Sequence, residues 1–320
     1  MRRRNVVAGL LCVPIAVRGQ TGPARVGFLH PRLSPIVEPM RLAAVREGLA
    51  LHGPASRAIE LVARVADGSL GQLRAHAEEL ARARLDVLVA VSPSGVAAAY
   101  EATRTIPIVG VDLETDPVAA GWVESLARPG RNVTGVFLDF AEFAAKCLQI
   151  LGEATSGLTR VGVLWDPTTG PYQRAAVEPA AAALGIALDL RETPALADIE
   201  PAVRGLAAGG SKALLVLSSP LFSANTGAVA EIANAARLPA IMLFPEFARD
   251  GGLVAYGPDL QDLFRRGGAM ARRIVDGARV SELPVERPVR FSLVVNVRTA
   301  RALGVDLPPL LLARADEVIE

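Results

Sequence analysis

Short apolar runs, each followed by a polar loop and then a helical stretch, constrain this chain most. In the first half they fall at 25–29, 58–62, 86–90 and 106–110. They mix Val, Leu and Ile without strict alternation, which suits strands covered on both faces. Helical stretches at 37–51, 70–84 and 95–103 separate them. Within the first, Leu42, Val45 and Leu49 share one face, with Arg41 and Arg46 elsewhere. Strands alternating with helices specify parallel sheets with crossover helices.

The pattern then starts again. Arg128-Pro129-Gly130-Arg131-Asn132 is turn chemistry, and Val133-Thr134-Gly135-Val136 reads as one more short strand that leaves the sheet. A helix is expected at 140–151, strands at 160–164, 186–190, 213–217 and 240–243, and helices at 172–184, 199–208 and 224–236. The chain thus holds two successive α/β lobes of similar size, in line with the domain number expected for 320 residues. The remainder, 260–320, is too short for a third domain. A helix at 260–275 would return to the first lobe, and 290–296 would be a strand near the hinge. No Gly/Ser-rich tether lies between the lobes, which favours short hinge segments.

A hydrophobic fraction of 51% with 21% charged residues marks a globular chain. The formal net charge of +1 gives no nucleic-acid footprint, so no nucleic-acid partner is expected. Residues 1–19 read as a secretory signal peptide. Met1-Arg2-Arg3-Arg4 is the cationic start, and 6–17 is apolar but too short to span a bilayer. Cleavage near Gly19 would remove Arg2, Arg3, Arg4 and Arg18 and take the formal charge from +1 to −3. Arg3-Arg4-Asn5-Val6-Val7 is an imperfect twin-arginine pattern, which leaves the export route open. Cys12 follows Leu10-Leu11, without the small residue that lipidation needs, so Cys147 would be the lone thiol of the mature chain.

Ligands of parallel α/β sheets sit outside the carboxyl ends of the strands, at helix N-termini. Six polar loops occupy such places: 30–34, 92–95, 112–116, 166–170, 218–222 and 244–246. Ser92 and Ser94 are the first candidates for an anion contact, with Thr168 and Thr169 offering the same from the second lobe. Each could equally be an ordinary N-cap. Ser34 and Ser218 complete the hydroxyl set. Asp112 or Asp116 would hold a ligand ammonium, although Asp116-Pro117 is also a common cap, and Glu246 is either a contact or a cap. Aromatics are scarce, so Trp165, Tyr172, Phe222 and Phe28 are candidate cleft walls, while Trp122 and Tyr256 fit packing as well. No nucleotide-binding glycine loop and no G-x-S-x-G elbow is present, and His30, His52 and His76 have no metal spacing. No catalytic residue, metal or cofactor is therefore expected.

Three stretches carry a resemblance: D-P-V-A-A-G-W-V-E-S-L-A-R-P-G-R-N-V-T-G-V from Asp116, P-E-F-A-R-D-G-G-L-V-A-Y-G-P-D-L from Pro245, and P-P-L-L-L-A-R-A-D-E-V-I-E from Pro308. Together they resemble the periplasmic substrate-binding proteins of ABC transporters, in the subgroup with tryptophan- and tyrosine-type binders. The resemblance implies a type I periplasmic binding protein: two Rossmann-like (flavodoxin-like) parallel-sheet lobes joined by a multi-strand hinge. The lobes would be 24–136 plus 259–290, and 137–258 plus 291–320. It also implies a periplasmic monomer that closes on a small carboxylate or amino acid and delivers it to an ABC permease in the inner membrane. The chain departs from the family where ligand choice would be set, with Leu113-Glu114-Thr115 in place of glycines and Asp166 in place of Asn. A two-lobed sensor is an alternative, and an α/β hydrolase or isomerase a weaker one.

Overall fold

The computed structural model describes residues 22–32, 38–51 and 57–320. The expected signal peptide, Cys12 and Ser34 lie outside the described residues.

The first lobe is built from β1 (Ala24–His30), α1 (Glu38–Ala50), β2 (Ile59–Val65), α2 (Leu70–Arg82), β3 (Val87–Val91), α3 (Ser92–Ala102), β4 (Ile108–Asp112) and β5 (Val133–Phe137). Its strands form one parallel sheet in the order β2-β1-β3-β4-β5. Strands β3, β4 and β5 are buried at every position, which is why their sequences do not alternate. Gly110 and Gly135 face each other in the β4–β5 register. Gly135 has φ +151°, and a Cβ there would meet Gly110 O at 2.0 Å, so only glycine fits.

The second lobe follows as α4 (Phe140–Ala154), β6 (Arg160–Trp165), α5 (Tyr172–Ala183), β7 (Ala187–Glu192), α6 (Leu196–Ala208), β8 (Ala213–Val216), α7 (Pro220–Ser223), α8 (Thr226–Ala235), β9 (Ala240–Met242), α9 (Pro245–Arg249) and β10 (Val254–Pro258). The chain returns to the first lobe as α10 (Leu260–Val275). It ends in the second with β11 (Phe291–Asn296), α11 (Val297–Leu303), α12 (Pro309–Ala313) and β12 (Glu317–Ile319). The second sheet runs β12-β11-β10-β9-β8-β6-β7, and among the described strands only β10 and β11 pair antiparallel. The helix expected at 224–236 is α8, and α7 is an additional turn in the loop expected at 218–222. Ser219 caps α7 through Phe222 N–H, and Asn225, with φ −135°, interrupts the run. Among the described residues no helix is long and apolar enough to cross a membrane.

Three chain segments pass between the lobes: after β5, between β10 and α10, and before β11. They are tied together. Glu286 exchanges backbone hydrogen bonds with Gly135 and Phe137, and Asp259 N–H reaches Arg290 O at 2.9 Å. Arg287 donates to Phe137 O and Leu138 O at 3.0 and 2.9 Å, while Arg266 pairs with Glu286. Helix α10 lies on α1 backbone to backbone. A Cβ on Gly48 would sit 1.9 Å from Arg265 O, and one on Gly268 2.2 Å from Val45 O.

Candidate functional site

The two sheets turn the carboxyl ends of their strands toward each other, and a pocket lies between. The first lobe contributes His30, Arg41, Ser92, Glu114 and Phe264, and the second Pro220, Ser223 and Phe244. The cavity measures only about 30 Å³. That suffices for one or two waters. The lobes are therefore closed here, and seating a larger guest requires them to part.

Arg41 dominates the electrostatics. It sits on α1 with its guanidinium carbon 5.4 Å from the Phe264 ring centroid. Burial pulls its pKa down to about 10, and the charges of Glu246 and Glu114 only partly oppose that. The group still carries its charge at neutral pH. Its Nη1 lies 3.2 Å from His30 Nε2. His30 Nδ1 accepts from Arg32 N–H at 3.2 Å, which places the imidazole hydrogen on Nε2. Burial, then Arg41, holds His30 well below the usual histidine range, so it is neutral. Two donors thus face each other, and Arg41 Nε has no partner among the described residues. A buried cation so placed is a receptor for an anion.

Ser92, at the start of α3, lines the same pocket, and Ser94 lines the neighbouring recess. Val91 supplies no side-chain cap, and Pro93 carries no N–H, so the free donors of this first turn belong to its other residues. Ser92 has φ +64°, a left-handed conformation that costs a non-glycine residue roughly 1–2 kcal/mol. Its Oγ lies 3.3 Å from Ser94 Oγ.

The acidic loop after β4 divides by direction. Asp112 is fully buried, and its Oδ1 accepts from Glu114 N–H at 2.8 Å. Glu114 lines the pocket and reaches the other lobe, its Oε1 accepting from Ser218 Oγ at 2.5 Å. Burial raises the pKa of both carboxyls, and Glu114 adds to the rise at Asp112. Asp116 turns outward instead. It caps the next turn by accepting from Val118 and Ala119 N–H at 2.8 and 3.2 Å, so the structure puts it outside the pocket.

In the second lobe Asp166 organises its own loop, accepting from Thr168 N–H at 2.9 Å and Thr168 Oγ1 at 2.7 Å. Thr169 Oγ1 donates to Asp166 O and accepts from Gln173, whose amide also brackets the Ser218 backbone. These hydroxyls serve the loop. Thr168 still lines a neighbouring recess with Arg32, Ser94 and Asp166. Trp165 is buried with Nε1 unpartnered among the described residues, and Arg174 lies 6.0 Å from its ring centroid. Phe222 and Phe28 are 0% exposed and pack into the cores. The cap at Ser219 sets α7 so that Phe222 faces inward, away from the cleft. Glu246 lines a recess on the hinge side and reaches the pocket only through its field at Arg41. The apolar walls are Phe244 and Phe264, which sequence reasoning did not single out.

Ser218→Ala would leave Glu114 without its cross-lobe donor. We expect the closed form to lose roughly 1–3 kcal/mol. X-ray scattering should then show a larger radius of gyration for the ligand-free protein, and an unchanged radius would contradict a latch role.

Comparisons with known proteins agree with this architecture. A family model described as ABC transporter substrate binding protein matches residues 36–319. A tyrosine-binding protein of Clostridioides difficile (strain R20291) is 27% identical over 220 residues, 68% of this chain. The match spans 63% of that relative's length. An ABC domain from Streptococcus pneumonia in complex with L-Trp superposes with TM-score 0.85 at 21% identity, over 93% of this chain and 100% of that one. A ligand-free, open substrate binding protein with adhesive properties from Clostridium difficile gives TM-score 0.65 at 23% identity, over 92% and 99%. At these identities the structural likeness speaks for the fold.

Proposed function

This chain belongs to the ABC transporter substrate binding protein family, and from that premise we propose that its cleft takes a small carboxylate of the amino-acid class. Arg41 carries the reading, as a partly buried cation with no salt bridge among the described residues, in the pocket that Ser92 at the start of α3 also lines. The ligand carboxylate would lie between Arg41, Ser92 and Ser94, with its side chain against Phe244 and Phe264. Contacts from both lobes would stabilise the closed state over the open one. The ligand leaves chemically unchanged, handed to an inner-membrane permease after export of the mature chain to the periplasm. The tyrosine-binding relative supports an amino acid as the first class to try.

Thermal melting of the mature protein against L-tyrosine, L-tryptophan, other amino acids, small carboxylates, nucleosides and sugars tests this. A ligand at a hundredfold its Kd adds about 2.7 kcal/mol to the native state. Amino acids are expected to raise the melting temperature. A rise with sugars or nucleosides alone would overturn the reading.

A further inference from the structure

Behind Glu114 lies a carboxyl with one oxygen left unsatisfied among the described residues. Asp112 ends β4 with no exposure, and its Oδ2 has no hydrogen-bond partner among the described residues. Glu114, two residues on, forms the pocket wall and holds Ser218 across the cleft. Two carboxylates this close in a water-poor strand exit cannot both ionise without a cation to share. The groups around them offer little. Arg41 from α1 is the cation lining the pocket, and the ligand's carboxylate competes for it. His30 from β1 is neutral. Asp166 from the second lobe adds negative potential at Glu114, and Glu246 from α9 acts on Arg41. Burial and the neighbouring Glu114 both push Asp112 toward its protonated form.

Resting on the amino-acid reading above, we propose that the Asp112–Glu114 pair holds one proton in the ligand-free protein and exchanges it for the ligand's ammonium, which selects zwitterions over carboxylic acids of equal shape. The exchange balances without covalent change. One carboxylic acid, one carboxylate and an incoming ammonium become two carboxylates and a bound ammonium, with one proton released to water. A ligand lacking the amine leaves the proton in place and gains nothing from the pair. The sequence departure that puts Glu114 in this loop then has a role, since it supplies the second carboxyl.

Titration calorimetry with L-tyrosine, L-tryptophan and their des-amino analogues, 3-(4-hydroxyphenyl)propionate and indole-3-propionate, tests the exchange. It is run at neutral pH in phosphate and in Tris, which differ in protonation enthalpy. The amino acids are expected to bind about 10- to 100-fold more tightly than the analogues and to release about one proton per ligand, as the two-carboxylate exchange requires. Asp112→Asn should abolish the proton release, and Glu114→Gln should erase the preference for the amine. In the ligand-free protein a protonated-carboxyl infrared band should be present and should vanish in Asp112→Asn. Equal binding of the des-amino analogues, heats of binding independent of buffer, or absence of the band would overturn the proposal. If none of the four compounds binds while the band behaves as expected, the protonated pair is upheld and the amino-acid reading alone fails.

Discussion

Arg41→Met is expected to weaken amino-acid binding by about 2–5 kcal/mol, roughly 30- to several-thousand-fold, while leaving the fold as stable as before or more so. The two halves of this expectation have one cause. The guanidinium is held in a place that does not suit it, with Nε unpartnered among the described residues, Nη1 3.2 Å from His30 Nε2, and a pKa lowered to about 10. A base whose folded pKa lies below its unfolded value costs stability at every pH where the unfolded form is charged. Methionine fills similar space without that cost, and replacing a poorly paired buried charge by an apolar side chain is often neutral or stabilising. A bound carboxylate is what repairs the site, so its affinity depends on the arginine. Calorimetry reads the first half and urea unfolding the second. Binding retained in the variant, or a large loss of stability, would contradict the assignment.

Gly268→Ala is expected to lower stability by about 2–4 kcal/mol and to impair binding at a distance. The added methyl would overlap Val45 O at 2.2 Å, a backbone atom that cannot rotate away. Helices α1 and α10 would have to separate. Both carry pocket residues, Arg41 on α1 and Leu260, Leu263 and Phe264 on α10. Gly48 lies two turns from Arg41, about 10 Å along the axis, so a displacement at this crossing moves the anion receptor. A lower urea midpoint and a weaker ligand response should appear together. A wild-type midpoint would show that the helices are not held in backbone contact.

The strands were legible because burial on both faces writes itself as unbroken apolar runs, and the bounds expected for α10 at 260–275 are the bounds observed. Strand β10 was not, since Gly252, Gly257 and Pro258 frame it as a turn would be framed. Strand β12 is too short for any periodicity to show. Within the cleft, the polar loops at 92–95 and 112–116 were legible as strand exits, and of their polar residues Ser92 and Glu114 line the pocket. Which acid points inward was not readable, because local capping at Asp116 and burial at Asp112 look alike in one dimension. Arg41 was hidden for another reason. It lies off the face marked by Leu42, and the helix that covers its side is more than two hundred residues away in sequence. A signal existed, since Gly48 lies at i+7 from Arg41 on the same side of the helix. The glycine marks where another backbone comes close.

The account rests on a guest clamped between Arg41 and the Asp112–Glu114 loop. Crystals of the mature protein grown with the tightest binder from the melting panel test this most directly. Density for the ligand is expected between the lobes, with its carboxylate within hydrogen-bonding distance of Arg41 and its amine toward Glu114. Density instead in the groove beside the hinge, against Phe143, Tyr256 and Phe291, with the pocket at Arg41 holding only water, would contradict it.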